Sequence, residues 1–274
     1  MRVTGIFIAV FVLFTGLIFQ AYADESEKPL PKWEVGVAVG AASLPQYMGS
    51  DERYLFVAPL PYLIYRGERV RVGRSGIRSE LFGIDRMMLD ISLGFGLPVR
   101  NSNRTRAGMP KLNFNLQAGP RLNWQMAESA RHELTLRLPW RAVVDTSGDY
   151  LGWLSEPDLK WQYTPSSALK FRLTSGVLFG SRKYHDTYYG VAPAFVTAER
   201  PVYQARAGMH SISVTGSLSY RFTDTLTFFT ALRYRNLSPG VIADSPLVRD
   251  HDYFSIAAGL AWSLWQSDET GFDD

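Results

Sequence analysis

Between residues 211 and 222 the chain alternates. Ile212, Val214, Leu218, Tyr220 and Phe222 stand at even positions, with small or polar residues at the odd ones. A period of two belongs to a strand with one apolar and one wet face, because successive side chains of a strand point to opposite sides. After a break at Thr223 and Asp224, the series Leu226, Phe228, Thr230, Leu232, Tyr234 resumes the pattern, and the two runs predict a hairpin. The unit recurs along the chain, with apolar series over 33–41, 54–64, 87–97, 112–124, 134–142, 151–163, 169–179 and 254–264. In the second of these, Tyr54, Phe56, Ala58, Leu60, Tyr62 and Ile64 form the apolar row, while Pro59 and Pro61 on the other face limit ladder bonding. Two shorter strands, 68–74 and 77–83, complete a count of about twelve.

The connections divide by parity. Those at 66–67, 84–85, 127–130, 164–167 and 223–224 fall on one side and are short, whereas 43–52, 98–111, 145–150, 181–207 and 238–250 fall on the other and are longer; 75–76 is the short exception there. An even strand count with short turns inside and longer loops outside is the arrangement of an outer-membrane barrel. The fold class expected is therefore all-β: a transmembrane antiparallel up-and-down β-barrel of about twelve strands, with short periplasmic turns and longer outer loops. Its strands, roughly 7 to 14 residues long, bracket the ~9–11 needed to cross a bilayer at a tilt.

The polar face supports the same choice. It carries Glu34, Asp90, Arg121, Glu133, Arg137, Arg141, Glu156, Asp158, Lys160, Lys170 and Arg172. In the dry core of a secreted sandwich or lipocalin-like barrel, each would cost several kcal/mol unless paired, but a wet lumen tolerates them. Arg121, Arg137, Arg141 and Arg172 face Glu133, Glu156 and Asp158 and are expected to pair across a narrow or closed lumen. Trp33, Trp124, Trp140, Trp153, Trp161, Trp262 and Trp265 lie mostly near strand ends, as interfacial girdles require.

Composition adds boundaries. Residues 1–23 combine Arg2, an apolar run and Ala21-Tyr22-Ala23, the pattern of a secretory signal peptide cleaved near Ala23. No later window is apolar for about 18 residues, so no membrane-spanning helix is expected. Residues 24–32 read as an unstructured periplasmic leader, 33–265 as one barrel domain, and 266–274 as an acidic tail. The absence of cysteine excludes disulfides and thiol chemistry, and 29 basic against 26 acidic residues leave no nucleic-acid footprint.

Candidate chemistry is sparse. His132, His185, His210 and His251 are scattered over turns or loops, none in a motif with Ser and an acid, and His185-Asp186 reads as solvated residues rather than metal ligands. No catalytic residue, cofactor or metal is expected; a barrel phospholipase or esterase is the enzymatic alternative. The loop 98–111 carries Arg100, Arg104, Arg106 and Lys111 with no acid, and its arginines suit phosphates of lipopolysaccharide in an outer leaflet.

Short fragments in order along the chain resemble the MltA-interacting protein (MipA/OmpV) family of Gram-negative outer-membrane proteins. They are 47–51 (Tyr47, Gly49, Ser50, Asp51), 59–61 with 65–67, 188–191 (Tyr188, Tyr189, Gly190), 200–203, 234–237 and 244–247 (Asp244, Ser245, Pro246). The resemblance implies an outer-membrane barrel linked to a scaffold that joins a lytic murein transglycosylase to a murein synthase; other members are described as adhesins or osmotically regulated proteins. A small-solute channel is the alternative from another class. Three fragments map to outer loops, where Gly49 and Gly190 permit unusual backbone angles and Asp51 and Asp244 can bind nearby amides. One departure stands at the end, where Trp265 is followed by an acidic tail instead of closing the chain. The scaffold contact is expected from the two termini, 24–32 and 266–274, because the inner turns offer little surface.

Overall fold

The computed structural model describes residues 30–67, 70–73, 76–79 and 82–271, the side chains of 70–73, 76–79 and 82 excepted. The signal peptide, its cleavage site, most of the leader and residues 272–274 lie outside these.

Fifteen strand segments form one antiparallel sheet. They are β1 (Trp33–Pro45), β2 (Arg53–Arg66), β3 (Val70–Gly73), β4 (Gly76–Ser79), β5 (Phe82–Ile84), β6 (Met87–Gly96), β7 (Asn115–Glu128), β8 (His132–Pro139), β9 (Arg141–Asp145), β10 (Tyr150–Ser155), β11 (Asp158–Ser166), β12 (Leu169–Gly180), β13 (Gly208–Arg221), β14 (Leu226–Asn236) and β15 (Asp252–Gln266). Two neighbouring pairs are single strands interrupted: β8 with β9 at Trp140, and β10 with β11 at Glu156-Pro157. Fifteen segments less two interruptions leaves thirteen strands among the described residues, close to the twelve or so expected. The ladder between β1 and β15, from Glu34↔Gln266 to Ser43↔Ile256, joins the first strand to the last and closes the ring.

Alternation sorts the side chains as the period of two predicts. Val35, Val37 and Val39 of β1, Ile91, Leu93 and Phe95 of β6, and Phe254, Ile256 and Leu260 of β15 face outward and stay exposed. Such a belt is the surface of a barrel whose solvent is hydrocarbon. Trp33, Trp124, Trp161, Trp262 and Trp265 sit toward the short-turn rim and form one girdle there; Trp140 lies at the β8–β9 interruption and Trp153 within β10.

β2 departs from expectation. Glu34 and Ile64 are cross-strand partners, and Glu34 is buried in the lumen, so the even row of β2 (Phe56, Ala58, Leu60, Tyr62) faces inward. Leu55, Val57 and Leu63 face lipid instead. The termini also differ from the free tails expected. Closure brings them together, and the Lys32 amide donates to the Glu269 carbonyl (2.7 Å), the Gly271 amide to Leu30 (2.8 Å), and Lys32 Nζ to the Glu269 carboxylate (2.8 Å). Residues 30–32 and 267–271 are therefore a paired strip continuing the β1–β15 ladder below the rim.

The dry core sits beneath the outer loops at the mouth. Tyr47, Val99, Leu112, Val143, Leu154 and Leu178 pack there with residues of the segments 184–189, 237–242 and 248–253.

Candidate functional site

The outer loops fold inward as a cap. Residues 181–207, read from sequence as aperiodic, contain a helix, α1 (Arg182–Tyr189). Ser181 caps it, its Oγ accepting the Tyr184 amide (3.2 Å), and Tyr184, His185, Tyr188 and Tyr189 form its buried face. These positions, i, i+1, i+4 and i+5, are one helical stripe. The signal was present in the sequence, but it is written in tyrosine and histidine rather than aliphatic residues.

Three of the family-like fragments converge on this helix from positions up to two hundred residues apart. Tyr47 Oη donates to the Leu247 carbonyl (2.7 Å), Ser245 Oγ to the Tyr189 carbonyl (2.8 Å), and Tyr189 Oη to the Met48 carbonyl (2.9 Å). Gly49 adopts φ +92°, and its carbonyl accepts the amides of Arg249 (2.7 Å) and Asp250 (3.1 Å). Gly190 has an ordinary φ of −70°, contrary to expectation; glycine is needed there because a Cβ would lie 2.5 Å from the Asp186 carbonyl oxygen. Asp51 and Asp244 are exposed. Their expected amide-binding role falls to Ser50, which accepts the Glu52 amide (3.1 Å), and Ser245, which accepts that of Leu247 (3.2 Å).

Burial governs the titration of the cap. It pushes the phenols of Tyr184 and Tyr189 well above their ordinary range and that of Tyr188 up to about 12. It lowers His185, whose Nδ1 donates to the Arg206 carbonyl (2.6 Å) while Nε2 packs against Gly180. His185 is fully buried, not solvated as expected, and its ring centre lies 5.5 Å from that of His210.

A hydrogen-bond chain ties the cap to the lumen. Arg235 Nη2 binds Glu156 (2.6 Å) and Arg235 Nη1 donates to Ser211 Oγ (2.6 Å). Ser211 Oγ meets His210 Nδ1 (2.9 Å), and His210 Nε2 meets Tyr189 Oη (2.8 Å), which donates to Met48. One direction satisfies every member: the serine hydroxyl donates to Nδ1, and Nε2–H donates to the phenol oxygen, so His210 is neutral with its proton on Nε2. His210 and Ser211 are each fully enclosed, and a guanidinium occupies the serine oxygen. That environment gives the hydroxyl no free path to a substrate carbonyl.

In the lumen, most charges pair along the wall between adjacent strands instead of across it. Arg121 binds Asp90 through Nε (2.9 Å) and Nη2 (2.5 Å), Arg137 binds Asp158 (2.7 Å), Lys160 binds Glu133 (2.8 Å), and Arg172 donates to Gln162 (2.7 Å). Arg235 on β14 reaching Glu156 between β10 and β11 passes over β12 and β13, so this pair does cross the interior. Arg141 lies at 4.0 Å on the other side of the same carboxylate. Arg235 was not among the lumen charges read from sequence.

The basic loop splits. Arg106 is buried and donates to the carbonyls of Tyr188 (2.6 Å) and Pro110 (3.4 Å), so it holds the cap and is not available to an external phosphate, contrary to expectation. Arg104, with its side chain 84% exposed, touches Glu52 at 3.5 Å, and exposed Arg100 lies over the Tyr54 ring at 4.7 Å. Arg200 fastens the loop to the α1 segment through carbonyls of Phe195, Thr105 and Ala107 (2.9–3.0 Å).

The family model described as MltA-interacting protein MipA matches residues 37–264. Among curated proteins none matches the chain significantly. Among solved structures, an outer membrane channel from Pseudomonas putida F1 is 10% identical with a TM-score of 0.48, the alignment covering 88% of this chain and 99% of that one. The NanC porin is 13% identical (TM-score 0.38; 84% and 100% covered). Outer membrane phospholipase A from Escherichia coli is 12% identical (TM-score 0.35; 89% and 95% covered).

Proposed function

Since the chain belongs to the MltA-interacting protein MipA family, we propose that this outer-membrane β-barrel is a non-catalytic scaffold, holding a lytic murein transglycosylase beside a murein synthase at its periplasmic rim. The observation that carries the reading is the packed cap of outer loops. A cap with its own apolar core, latched through Tyr189 to His210 and through Arg235 to Glu156, suits a barrel that carries no solute. The enclosed His210–Ser211 pair favours a non-catalytic role for the same reason.

The rim supplies the docking surface. Specific interfaces bury about 800 Å² per partner, which turns of a few residues do not provide. The strip formed by 30–32 and 267–271 extends below them, already ordered by backbone bonds and the Lys32–Glu269 pair, so a partner need not fold it on arrival. Purified barrel carrying a deletion of 267–274 is expected to stay heat-modifiable and to lose most of its capture of the transglycosylase. Undiminished capture would place the contact elsewhere, and steady single-channel steps from the intact protein in a planar bilayer would replace the scaffold reading with a channel.

A further inference from the structure

The loop between β6 and β7, residues 97–114, carries Arg100, Arg104, Arg106 and Lys111 and no acid. The Val99 amide donates to the Leu112 carbonyl (2.9 Å) and pinches the base of the loop. Within it, the amides of Asn103, Ala107 and Met109 donate to the carbonyls of Arg100, Arg104 and Arg106 (3.0–3.2 Å). These successive turns, with Gly108 at φ +76°, wind the backbone around a hollow. The hollow is a cavity of about 300 Å³ with Arg100, Asn101, Arg106, Met109, Lys111 and Leu112 in its wall. That volume stands at the lower end of the range of small-molecule sites.

The innermost of its cations lacks a counter-charge. Arg106 is 7% exposed, yet its side chain donates only to the carbonyls of Tyr188 and Pro110, with no carboxylate beside it among the described residues. Burial pushes its pKa down, and Arg200, itself buried and bonded to three carbonyls, pushes it further. A buried guanidinium is ordinarily paired, because carbonyl dipoles return only part of the hydration it gives up. The carboxylate that serves this loop, Glu52, accepts the Arg104 amide (2.7 Å) and touches the Arg104 side chain, outside the cavity wall. The hollow is therefore a positive site with no acid in its wall. Arg100 and Lys111 are its exposed cations. Arg100 is oriented in advance, its amide donating to Gln46 Oε1 (3.2 Å) and its guanidinium lying over the Tyr54 ring, so it loses little freedom on meeting a ligand.

We propose that this hollow binds a phosphorylated sugar at the outer face of the barrel. Arg100 and Lys111 hold the phosphate by charge-assisted bonds, and the charge of Arg106 is balanced without that residue leaving the cap. A phosphate dianion offsets more of the three positive charges than a single carboxylate does. The volume beyond the phosphate accommodates a ring, with its C–H face on Met109 and Leu112 and a hydroxyl on Asn101. Lipopolysaccharide and free phosphosugars both present this chemistry. The site is independent of the scaffold reading, since it lies at the opposite end of the barrel from the rim.

Isothermal titration of the full-length barrel in neutral detergent tests the site, with glucose 6-phosphate, inorganic phosphate and glucose as probes. Glucose 6-phosphate is expected to bind about tenfold tighter than inorganic phosphate, and glucose not to bind. Arg100→Ser with Lys111→Ser should weaken glucose 6-phosphate about tenfold, whereas Arg104→Ser, which removes the same charge from the same loop outside the wall, should stay within about twofold of the parent. Bound glucose 6-phosphate should also slow amide exchange in α1, where Arg106 is anchored. Absence of binding, or an equal loss in Arg104→Ser, overturns the site. Inorganic phosphate that binds as tightly overturns the sugar, and unchanged exchange in α1 overturns the part given to Arg106. Displacement of glucose 6-phosphate by lipopolysaccharide added to the micelles, but not by its dephosphorylated form, supports the site with the outer leaflet as the source of the ligand. Displacement by neither supports it with a soluble source, and displacement by both alike overturns phosphate as the group recognised. Heat-modifiability of each variant shows that the barrel compared is folded.

Discussion

Tyr189→Phe isolates the latch of the cap. The substitution removes one oxygen from a fully buried ring and keeps the ring, so it creates no cavity and deletes only hydrogen bonds. The Met48 carbonyl loses its donor at 2.9 Å and His210 Nε2–H loses its acceptor at 2.8 Å. Each buried orphan costs about 1–3 kcal/mol, so the cap should lose about 2–6 kcal/mol in all. The barrel wall should be untouched, because the strand ladders contain neither bond. At about 1.4 kcal/mol per tenfold, even the lower figure speeds cap opening by about 30-fold. Amide hydrogen exchange of residues 46–50, 184–190 and 242–248 reads that opening, with β14 and β15 as internal standard. Exchange of those loops within about twofold of the parent would show that the phenol is not the latch and that packing alone holds the cap.

Further outcomes follow from neighbouring geometry. Gly190→Ala drives a Cβ to 2.5 Å from the Asp186 carbonyl and should destabilise the cap by about 1–3 kcal/mol, seen as a lower transition in near-ultraviolet circular dichroism. Arg121→Ala strands the fully buried Asp90 carboxylate, a loss of about 3–5 kcal/mol that should lower the heat-modification temperature; replacing both by leucine should recover most of it. Burial depresses His185 below its ordinary value of 6.5, so the unfolded loop binds the proton more readily than the cap does. Its contribution is whole above about pH 6.5 and is lost as pH falls below that toward the folded value. Loop exchange should therefore accelerate with acid in the parent, and His185→Gln should flatten the part of the slope that comes from this residue.

The strands were legible because lipid outside and water inside impose a period of two on nearly every segment. β2 shows where that reading fails: Leu55, Val57 and Leu63 are as apolar as Phe56, Ala58 and Leu60, so periodicity finds the strand but not its facing. The facing is set by Glu34, which must stay with Arg66 and Tyr62 in the lumen (3.1 and 2.8 Å) and fixes the register of its neighbour. Lumen charges were legible as a class, but not their pairing. Asp90 and Arg121 are direct cross-strand partners, a relation that depends on which residue of β6 sits beside which of β7.

The cap was legible as words without syntax. Tyr47, Tyr188, Tyr189 and Ser245 stand in short fragments separated by long apolar alternation, and no spacing rule connects them. The chain from Glu156 through Arg235, Ser211, His210 and Tyr189 to Met48 draws on five segments, each contributing one or two residues. Such a relay exists only after the ring has closed and placed β10, β13 and β14 around one interior, so its cost in chain entropy falls on the barrel and not on the loops. The core that the loops bury mixes aliphatic Val99, Leu112, Leu237, Ile242 and Val248 with Tyr47, Tyr184, Tyr188 and Tyr189. A cap that assembles on a finished wall needs only directional bonds to select one arrangement, and tyrosine supplies both the bulk and the donor. Loss of a single phenol should then loosen the whole cap together, since each fragment meets the others at α1, while the strands beneath keep their register.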